Sequence, residues 1–182
     1  RIVSPRDSAL RGRRVVVTAG PTYEDIDPVR YVGNRSSGRM GFAVAAAAHG
    51  RGANVTLVAG PTAVEPPLSD ELVRVRRATE MRDVVLRAAE HADVVIMAAA
   101  VADYTPVEPA EEKIAKGDAP LTLTLQRTPD ILMDLGRLSA RRPTPLVLVG
   151  FAAETGDLLR KAREKRARKH VDLIVANDVT MP

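Results

Sequence analysis

A polar loop at residues 33–41 carries residue types that suit the binding of an anion. An alanine-rich stretch at residues 40–50 follows and predicts a helix, so the loop would present backbone N–H groups, hydroxyl donors and the positive end of the helix dipole. A helix cap with incidental arginines is the alternative; we favour anion binding because the polar segment is long. The residues expected to bind are Arg35, Ser36, Ser37 and Gly38.

Asn34 stands out within this loop because its side-chain amide both donates and accepts hydrogen bonds. Such a group can hold a carbonyl oxygen or an acyl phosphate without becoming charged. The alternative is a turn asparagine in a left-handed conformation.

Two later segments would complete a pocket for a phosphorylated ligand. Ala98, Ala99 and Ala100 let a flat ring approach the backbone, and Asp103 can bind a ribose hydroxyl, a base or a metal ion; a tightly packed strand end is the alternative. Residues 111–117 form a charged loop that contains Lys113 and Lys116. Lysines on such a loop are usually solvated, but a flexible ammonium also suits a lid that closes over phosphates.

The second half of the chain adds a helix start, an aromatic ring and a basic helix. Phe151 follows a strand, where its ring can stack on a base, although packing is the commoner fate of a single Phe. Residues 160–169 hold seven basic residues, and Lys161, Lys165 and Lys169 share one helical face where a bound anion would relieve their repulsion. A solvated face or a nucleic-acid-binding stripe remain alternatives. The helix start comprises Thr128, Pro129, Asp130 and Ile131.

Alternating apolar strands and helices must position these residues, and they predict a Rossmann-like three-layer α/β/α fold with a mostly parallel sheet. We expect one domain at 13–182 after a linker at 1–12. Ligands bind beyond the carboxyl ends of such strands, so chemistry is expected just after Val17, Val58, Met97, Val149 and Val175. The predicted strands are 13–20, 54–59, 93–99, 121–125 (at a sheet edge or in a hairpin), 146–150 and 171–176, and the predicted helices are 40–50, 79–91, 130–138 and 156–170.

Composition sets the broad class. The 182 residues are 45% hydrophobic and 27% charged, which is typical of a globular protein. The absence of cysteine excludes thiolate nucleophiles, disulfides and cysteine metal sites. A net charge of +4 fits either ordinary surface arginine or an anionic ligand. No apolar run approaches the roughly 20 residues of a membrane span, and no signal peptide is visible, so we expect a cytoplasmic protein without a membrane partner. A first residue other than Met is compatible with a piece of a longer chain.

Several stretches together resemble the phosphopantothenoylcysteine synthetases, which normally form the C-terminal half of a bifunctional bacterial enzyme. They follow the family order along nearly the whole chain, and the Asn-x-Ser-Ser-Gly loop is the most specific of them. The matching stretches are 15–22, 27–31, 34–41, 98–104, 112–114, 149–155 and 172–178.

The resemblance implies a two-step ligation in coenzyme A biosynthesis. CTP with Mg²⁺ would convert the carboxylate of 4′-phosphopantothenate to an acyl-cytidylate, and L-cysteine would then displace CMP. Lys113 would neutralise phosphate charge, Asn34 would position the acyl group with Arg35 and Lys116 near the substrate, and Asp103 is the candidate metal ligand. A homodimer, fusion to an N-terminal flavin-dependent decarboxylase and no nucleic-acid partner are also implied. The family's nucleotide-binding positions match Asp103, Lys113, Thr128, Pro129, Asp130, Ile131, Phe151, Lys165 and Lys169, to which the residues themselves add Ser36, Ser37, Gly38, Ala98, Ala99 and Ala100.

Two departures from the family pattern and two rival functions qualify this interpretation. Position 115 is alanine where the lysine loop of the family reads Lys-Ile-Lys-Lys, and the family normally continues beyond the position of Pro182. The choice between CTP and ATP depends on backbone geometry and stays open. An NAD(P)-binding oxidoreductase is disfavoured because the G-x-G-x-x-G fingerprint is missing. A nucleic-acid-binding module would use the basic helix, but few aromatic residues are available to stack on single strands.

Overall fold

Helices and strands alternate along most of the chain. The computed structural model describes residues 8–118, 120–154 and 157–178. In chain order the elements are β1 (Arg14–Ala19), β2 (Tyr23–Asp25), β3 (Tyr31–Gly33), α1 (Arg39–His49), β4 (Asn54–Ala59), β5 (Glu71–Arg74), α2 (Ala78–Ala89), β6 (Val94–Met97), β7 (Tyr104–Pro106), β8 (Leu125–Arg127), α3 (Ile131–Ser139), β9 (Val147–Glu154), α4 (Leu158–Lys169) and β10 (Leu173–Asp178).

The central sheet contains six parallel strands in the order β10-β9-β6-β1-β4-β5. The chain builds outward from β1 to β4 and β5 in one direction, and then returns to build β6, β9 and β10 in the other. This is the strand order of the doubly wound Rossmann fold, in which ligands bind at the reversal point between the two halves. The predicted Rossmann-like architecture is therefore confirmed, and the reversal point lies between β1 and β6.

The two faces of the sheet are covered by different helices. Val15 and Val17 of β1 belong to a buried cluster with Phe42 of α1, whereas Val16 belongs to a second cluster with Met81 of α2. Successive side chains of a strand point to opposite faces, so the unbroken valine run reflects burial on both sides. Helix α2 contacts α3, and α3 contacts α4, so these three helices cover the face opposite α1.

Helix α1 packs unusually close to β1 because its first turn contains Gly41. A Cβ at this position would lie 2.6 Å from the Cβ of Ala19 and 2.8 Å from the carbonyl oxygen of Thr18. We expect Gly41→Ala to destabilise the fold by about 1–2 kcal/mol, because overpacking of about 1–3 kcal/mol exceeds the gain in helix propensity. Urea denaturation would measure it. Gly117→Ala is the control, since no atom lies within 4 Å of its added Cβ; equal midpoints for the two variants would contradict the prediction.

Two antiparallel hairpins lie outside the central sheet and depart from the predicted elements. The segment at 22–39, for which no strand was predicted, contains the β2–β3 hairpin, in which the rings of Tyr23 and Tyr31 stack with centroids 3.7 Å apart. The strand predicted at 121–125 shares only Leu125 with β8 of the β7–β8 hairpin. Its hairpin setting is confirmed, but its span was wrong, because the pairing begins only at Leu125.

The remaining differences are at element ends. The short strand β5 was not predicted, because its four residues include Glu71 and Arg74 and give no apolar run. The strand predicted at 93–99 ends at Met97. The helix predicted at 156–170 is Leu158–Lys169, and its predicted first residue lies outside the described residues. Of the predicted linker, residues 1–7 also lie outside them, while the Leu10 N–H donates to the carbonyl oxygen of Arg51 at 3.1 Å. The domain boundary at residue 12 stays a prediction.

Candidate active-site cleft

A cleft of about 880 Å³ opens at the carboxyl ends of β6, β9 and β10, next to the reversal point of the sheet. It gathers most of the residues that the sequence analysis singled out, from segments far apart in the chain. The predicted site residues that line it are Asn34, Arg35, Ala98, Ala99, Ala100, Asp103, Thr128, Pro129, Asp130, Ile131, Phe151, Lys165 and Lys169.

Some predicted residues do not line the cleft. Ser36, Ser37 and Gly38 lie just before α1, and the N-cap Gly38 adopts a left-handed conformation with φ of 76°. Within the described part of the chain, no side chain caps this helix, so its first N–H groups keep the capacity to bind an anion. Lys113 and Lys116 are exposed on their loop and are likewise absent from the lining.

No residue just after Val17 or just after Val58 lines the cleft, so the expectation of chemistry at these two strand ends stays a prediction. The chain passes Gly60 so closely that an added Cβ would lie 1.8 Å from the carbonyl oxygen of Pro21. The backbone of Pro21 therefore packs directly against Gly60, the residue after β4. The cleft therefore belongs to the β6 side of the reversal point.

Asn34 follows directly after β3 and is oriented by the chain after β6. Its Nδ2 donates to the carbonyl oxygen of Val101 at 2.8 Å. A carbonyl can only accept, which fixes the nitrogen of the amide towards Val101 and the oxygen away from it. The amide oxygen and the second N–H can then serve a ligand as acceptor and donor.

Two buried threonines hold the alanine segment in place. The Thr18 hydroxyl accepts from the N–H of Ala99 at 3.0 Å, and the Thr22 hydroxyl accepts from the N–H of Ala102 at 2.9 Å. Both threonines are fully buried. A rigid, small-side-chain wall results, which is suited to contact with a flat ring.

The segment at 128–131 is fixed to the chain that directly follows the alanine segment. Thr128 donates its hydroxyl to the carbonyl oxygen of Ala102 at 2.6 Å and its N–H to that of Asp103 at 3.0 Å. Asp130 is the N-cap of α3, with its carboxylate accepting from the N–H of Met133 at 3.1 Å. The predicted helix start is therefore confirmed. Ile131 and the fully buried Leu135 anchor the helix, and burial stabilises each by about 1.5–3 kcal/mol.

Helix α4 supplies two lysines to the cleft. Lys165 donates to the carbonyl oxygen of Phe151 at 2.9 Å, and Lys169 pairs with Asp130. Burial lowers the pKa of Lys169, while the negative charge of Asp103 acts in the opposite direction. Lys161 does not line the cleft. The predicted shared face is thus a pair of lysines whose repulsion is already offset by protein partners.

The charge of the cleft favours an anionic ligand. Four cationic side chains line it against the two carboxylates of Asp103 and Asp130. The described residues contain no group of three or more His, Cys, Asp or Glu that could hold a metal by themselves. Mg²⁺ is commonly bound by one or two carboxylates together with substrate phosphates and water, and Asp103 fits such a site. The four cations are Arg35, Arg127, Lys165 and Lys169.

The sequence analysis missed several lining residues. Arg127 is the most consequential, because it adds a cation immediately before Thr128. Its position at the end of β8 follows from the β7–β8 hairpin, which the sequence pattern misplaced. Asn177 lies at the end of β10, inside a stretch that carried the resemblance but without an assigned role. The other lining residues without a predicted role are Met40, Met97, Val101, Ala102, Tyr104, Leu132 and Ala152.

The geometry defines a class of protein: a Rossmann-like α/β domain with a cationic cleft at the reversal point of its sheet. The chain belongs to the family described as the DNA/pantothenate metabolism flavoprotein C-terminal domain, whose family model matches residues 10–182.

Named relatives and solved structures agree with this membership. The coenzyme A biosynthesis bifunctional protein CoaBC of Bacillus subtilis is 48% identical over 171 residues, covering 93% of this chain and 41% of the relative. Its Escherichia coli K12 counterpart is 48% identical over 177 residues, covering 95% and 43%. The chain thus spans about two fifths of these relatives' length. A crystal structure of the C-terminal domain of CoaBC superposes with a TM-score of 0.81 at 44% identity, covering 94% of this chain and 80% of that one.

No helix in the described part of the chain is long and apolar enough to cross a membrane.

Proposed function

We propose that this domain is the ligase that joins 4′-phosphopantothenate to L-cysteine in coenzyme A biosynthesis, through an acyl-cytidylate formed with CTP. One observation carries the proposal: the cleft brings Asn34, the alanine wall, Asp103 and two lysines of α4 together at the reversal point of the sheet. Relatives named for coenzyme A biosynthesis match nearly the whole chain and support it.

The arrangement suits a reaction that needs no side-chain nucleophile. A carboxylate is a poor acylating agent, so one of its oxygens must become part of a leaving group. The protein then has to hold several anions close together and spread donors over them. The chain has no cysteine, and Ser36 and Ser37 do not line the cleft, whereas cations surround it.

The nucleotide is assigned to the side of the cleft between β6 and α3. The base would lie against the alanine wall near Phe151, and Asp103 would bind the ribose. The segment at 128–131 would enclose the nucleotide. Lys165 and Lys169 would bind the nucleotide, because the family resemblance assigns nucleotide binding to these two positions. Mg²⁺ held by Asp103, phosphate oxygens and water would supply further neutralisation of phosphate charge.

Asn34 is assigned to the acyl group. Because Val101 fixes the orientation of the amide, the second N–H can donate to the acyl oxygen. The amide oxygen can accept from the amine of the incoming cysteine. Arg35 beside it, and Lys113 and Lys116 once their loop closes, would serve the phosphates of the two substrates.

A second copy of the chain is the proposed partner in solution. The two hairpins contact each other, since β7 contacts both β2 and β3, and both hairpins expose apolar side chains. Their exposed residues, together with Val29 of the loop between β2 and β3, favour a homodimer through this surface. We place the protein in the cytoplasm and, as the family resemblance implies, next to a flavin-dependent decarboxylase. The exposed residues are Val29, Tyr31, Tyr104 and Leu125.

The test is pyrophosphate release by the purified chain with 4′-phosphopantothenate, Mg²⁺ and either CTP or ATP, with and without cysteine. We expect release with CTP and cysteine-dependent formation of CMP. Pyrophosphate release with ATP but not with CTP would overturn the proposed choice of nucleotide. A folded protein that releases pyrophosphate with neither nucleotide would contradict the proposed ligation, provided that an Ala115→Lys variant is silent too.

Arg127 provides a prediction specific to this cleft. It lines the cleft from β8 and forms no ion pair with another described residue, so it can bind phosphate or carboxylate. We expect Arg127→Gln to lower kcat/KM by about tenfold, the cost of one charged hydrogen bond. Steady-state pyrophosphate release would measure this. Arg137→Gln is the matched control, because Arg137 pairs with Asp134 on α3 and does not line the cleft; equal effects would remove Arg127 from the site.

A further inference from the structure

The lysine loop, residues 111–117, is held at one point of its backbone by two side chains from the distant β2–β3 hairpin. The N–H of Ile114 donates to Oδ2 of Asp27 at 3.2 Å. The carbonyl oxygen of Ile114 accepts from Nη2 of Arg30 at 2.7 Å. Both polar backbone groups of this residue are therefore engaged, and Ile114 lies between Lys113 and Lys116.

Asp27 is buried to a degree that a surface turn does not require. Its side chain is fully buried, whereas 40% of the Arg30 side chain is exposed. Oδ1 of Asp27 accepts from the N–H groups of Val29 and Arg30, both at 2.8 Å, and Oδ2 accepts from Nε of Arg30 at 2.9 Å. The Arg30 guanidinium foremost, and then these backbone donors, hold the pKa of Asp27 well below its ordinary value, against the effect of burial. The carboxylate therefore stays charged at neutral pH.

A turn alone would be satisfied by an exposed Asp, Asn or Ser. Burying a carboxylate is costly unless every one of its lone pairs finds a donor. Here the donor set is completed by Ile114 from the lysine loop, and the arginine that neutralises the carboxylate also binds that loop. The ion pair of Asp27 and Arg30 therefore binds the lysine loop as well as stabilising its own turn.

We propose that Asp27 and Arg30 are positioning residues that anchor the lysine loop at Ile114 and give Lys113 and Lys116 a fixed pivot beside the cleft. The contribution of this anchor to catalysis rests on the proposed function; the anchor itself does not. A second contact supports the same junction, since the N–H of Ala110 donates to the carbonyl oxygen of Ile26 at 2.9 Å.

The same hairpin also delivers Asn34, which follows β3 by one residue. One rigid element therefore sets both the acyl-positioning amide and the pivot of the loop. With alanine at position 115 the loop has fewer ammonium groups than its family pattern, so the placement of the remaining two matters more.

The anchor can be tested without any substrate, by hydrogen–deuterium exchange in the peptide that contains Ile114. We expect Asp27→Asn to speed exchange there by about tenfold, while peptides of β1 and α2 keep their protection. Asp25→Asn is the matched control, because Asp25 lies on the same hairpin but pairs with Arg76 at 2.6 Å and does not touch the loop. Unchanged exchange at Ile114 in a folded Asp27→Asn protein would overturn the proposal.

Arg30→Lys keeps the test decisive if Asp27→Asn fails to fold. Lysine can still neutralise Asp27 but lacks the fork that also reaches the carbonyl oxygen of Ile114. For Arg30→Lys we expect an exchange rate at Ile114 between those of the wild type and Asp27→Asn. Exchange at the wild-type rate would contradict the proposed anchor.

Activity separates this proposal from the proposed function. If the ligation is correct and the anchor acts through the lysines, Asp27→Asn should lower kcat for pyrophosphate release by about tenfold with little change in KM for CTP. Faster exchange with unchanged kcat would leave the anchor in place but remove its catalytic role. Absence of activity in the wild-type chain would refute the proposed function and leave the exchange result valid.

Discussion

Replacement of Asn34 by alanine is expected to slow formation of the amide product by about 100-fold while pyrophosphate release continues. The amide donor would be lost where negative charge develops on the acyl oxygen during attack by cysteine. The activation step depends on cations elsewhere in the cleft. An acyl-nucleotide intermediate should therefore accumulate, which quenched reactions with labelled CTP would detect.

Two further variants sharpen this test. Asn34→Asp keeps the shape of the side chain but places a carboxylate oxygen against the carbonyl oxygen of Val101, so it should be impaired as severely. Asn54→Ala is the control, because Asn54 is an exposed asparagine at the start of β4, at the opposite end of the sheet from the cleft. Product formation by Asn34→Ala at the wild-type rate would refute the role assigned to this residue.

Lys113→Gln is expected to reduce pyrophosphate release itself by about 100-fold, with or without cysteine. Glutamine is slightly shorter than lysine and retains a hydrogen-bond donor, but it loses the positive charge that offsets the phosphates as the acyl-nucleotide forms. A rapid-quench measurement of the first turnover would separate this step from product release. Because Lys113 does not line the cleft in this structure, the prediction also requires the loop to close.

Lys161→Gln serves as the control for this variant, since Lys161 is on α4 but does not line the cleft. Ala115→Lys should raise the rate if the number of ammonium groups limits neutralisation. A Lys113→Gln protein that releases pyrophosphate normally would mean that the lysine loop is not a lid for this reaction.

The strands that could be predicted from sequence are those buried on both faces. Val15 to Val17 in β1 form an unbroken apolar run because helices cover the sheet on either side. Strand β5 escaped prediction because its exposed, charged ends at the sheet edge give no such run. The β2–β3 hairpin escaped because tertiary contacts stabilise it, including the stacked rings of Tyr23 and Tyr31 and the ion pair of Asp25 with Arg76.

The site shows the same division. Asp103 and the lysines of α4 could be predicted because they follow a strand or lie on a regular helix, and the resemblance assigned their roles. Phe151 was expected to follow a strand, but β9 continues to Glu154 and contains it. Arg127 could not, because its direction depends on a hairpin whose register the local pattern misplaced. The contact between Arg30 and Ile114 could not be predicted from sequence either. It joins residues 84 positions apart, and its acceptor is a backbone carbonyl oxygen, which does not depend on the type of side chain.

The two edge strands of the central sheet, β5 and β10, differ in how readily they can pair with another chain. The β5 edge is short and carries Glu71 and Arg74, which discourage pairing with another chain. At the other edge, β10 runs for six residues, and no described strand pairs with its outer side. Its sequence, Leu-Ile-Val-Ala-Asn-Asp, is apolar over four residues, and Leu173 is 53% exposed. Concentrated solutions of this chain should therefore aggregate through β10, making that strand the place to improve solubility.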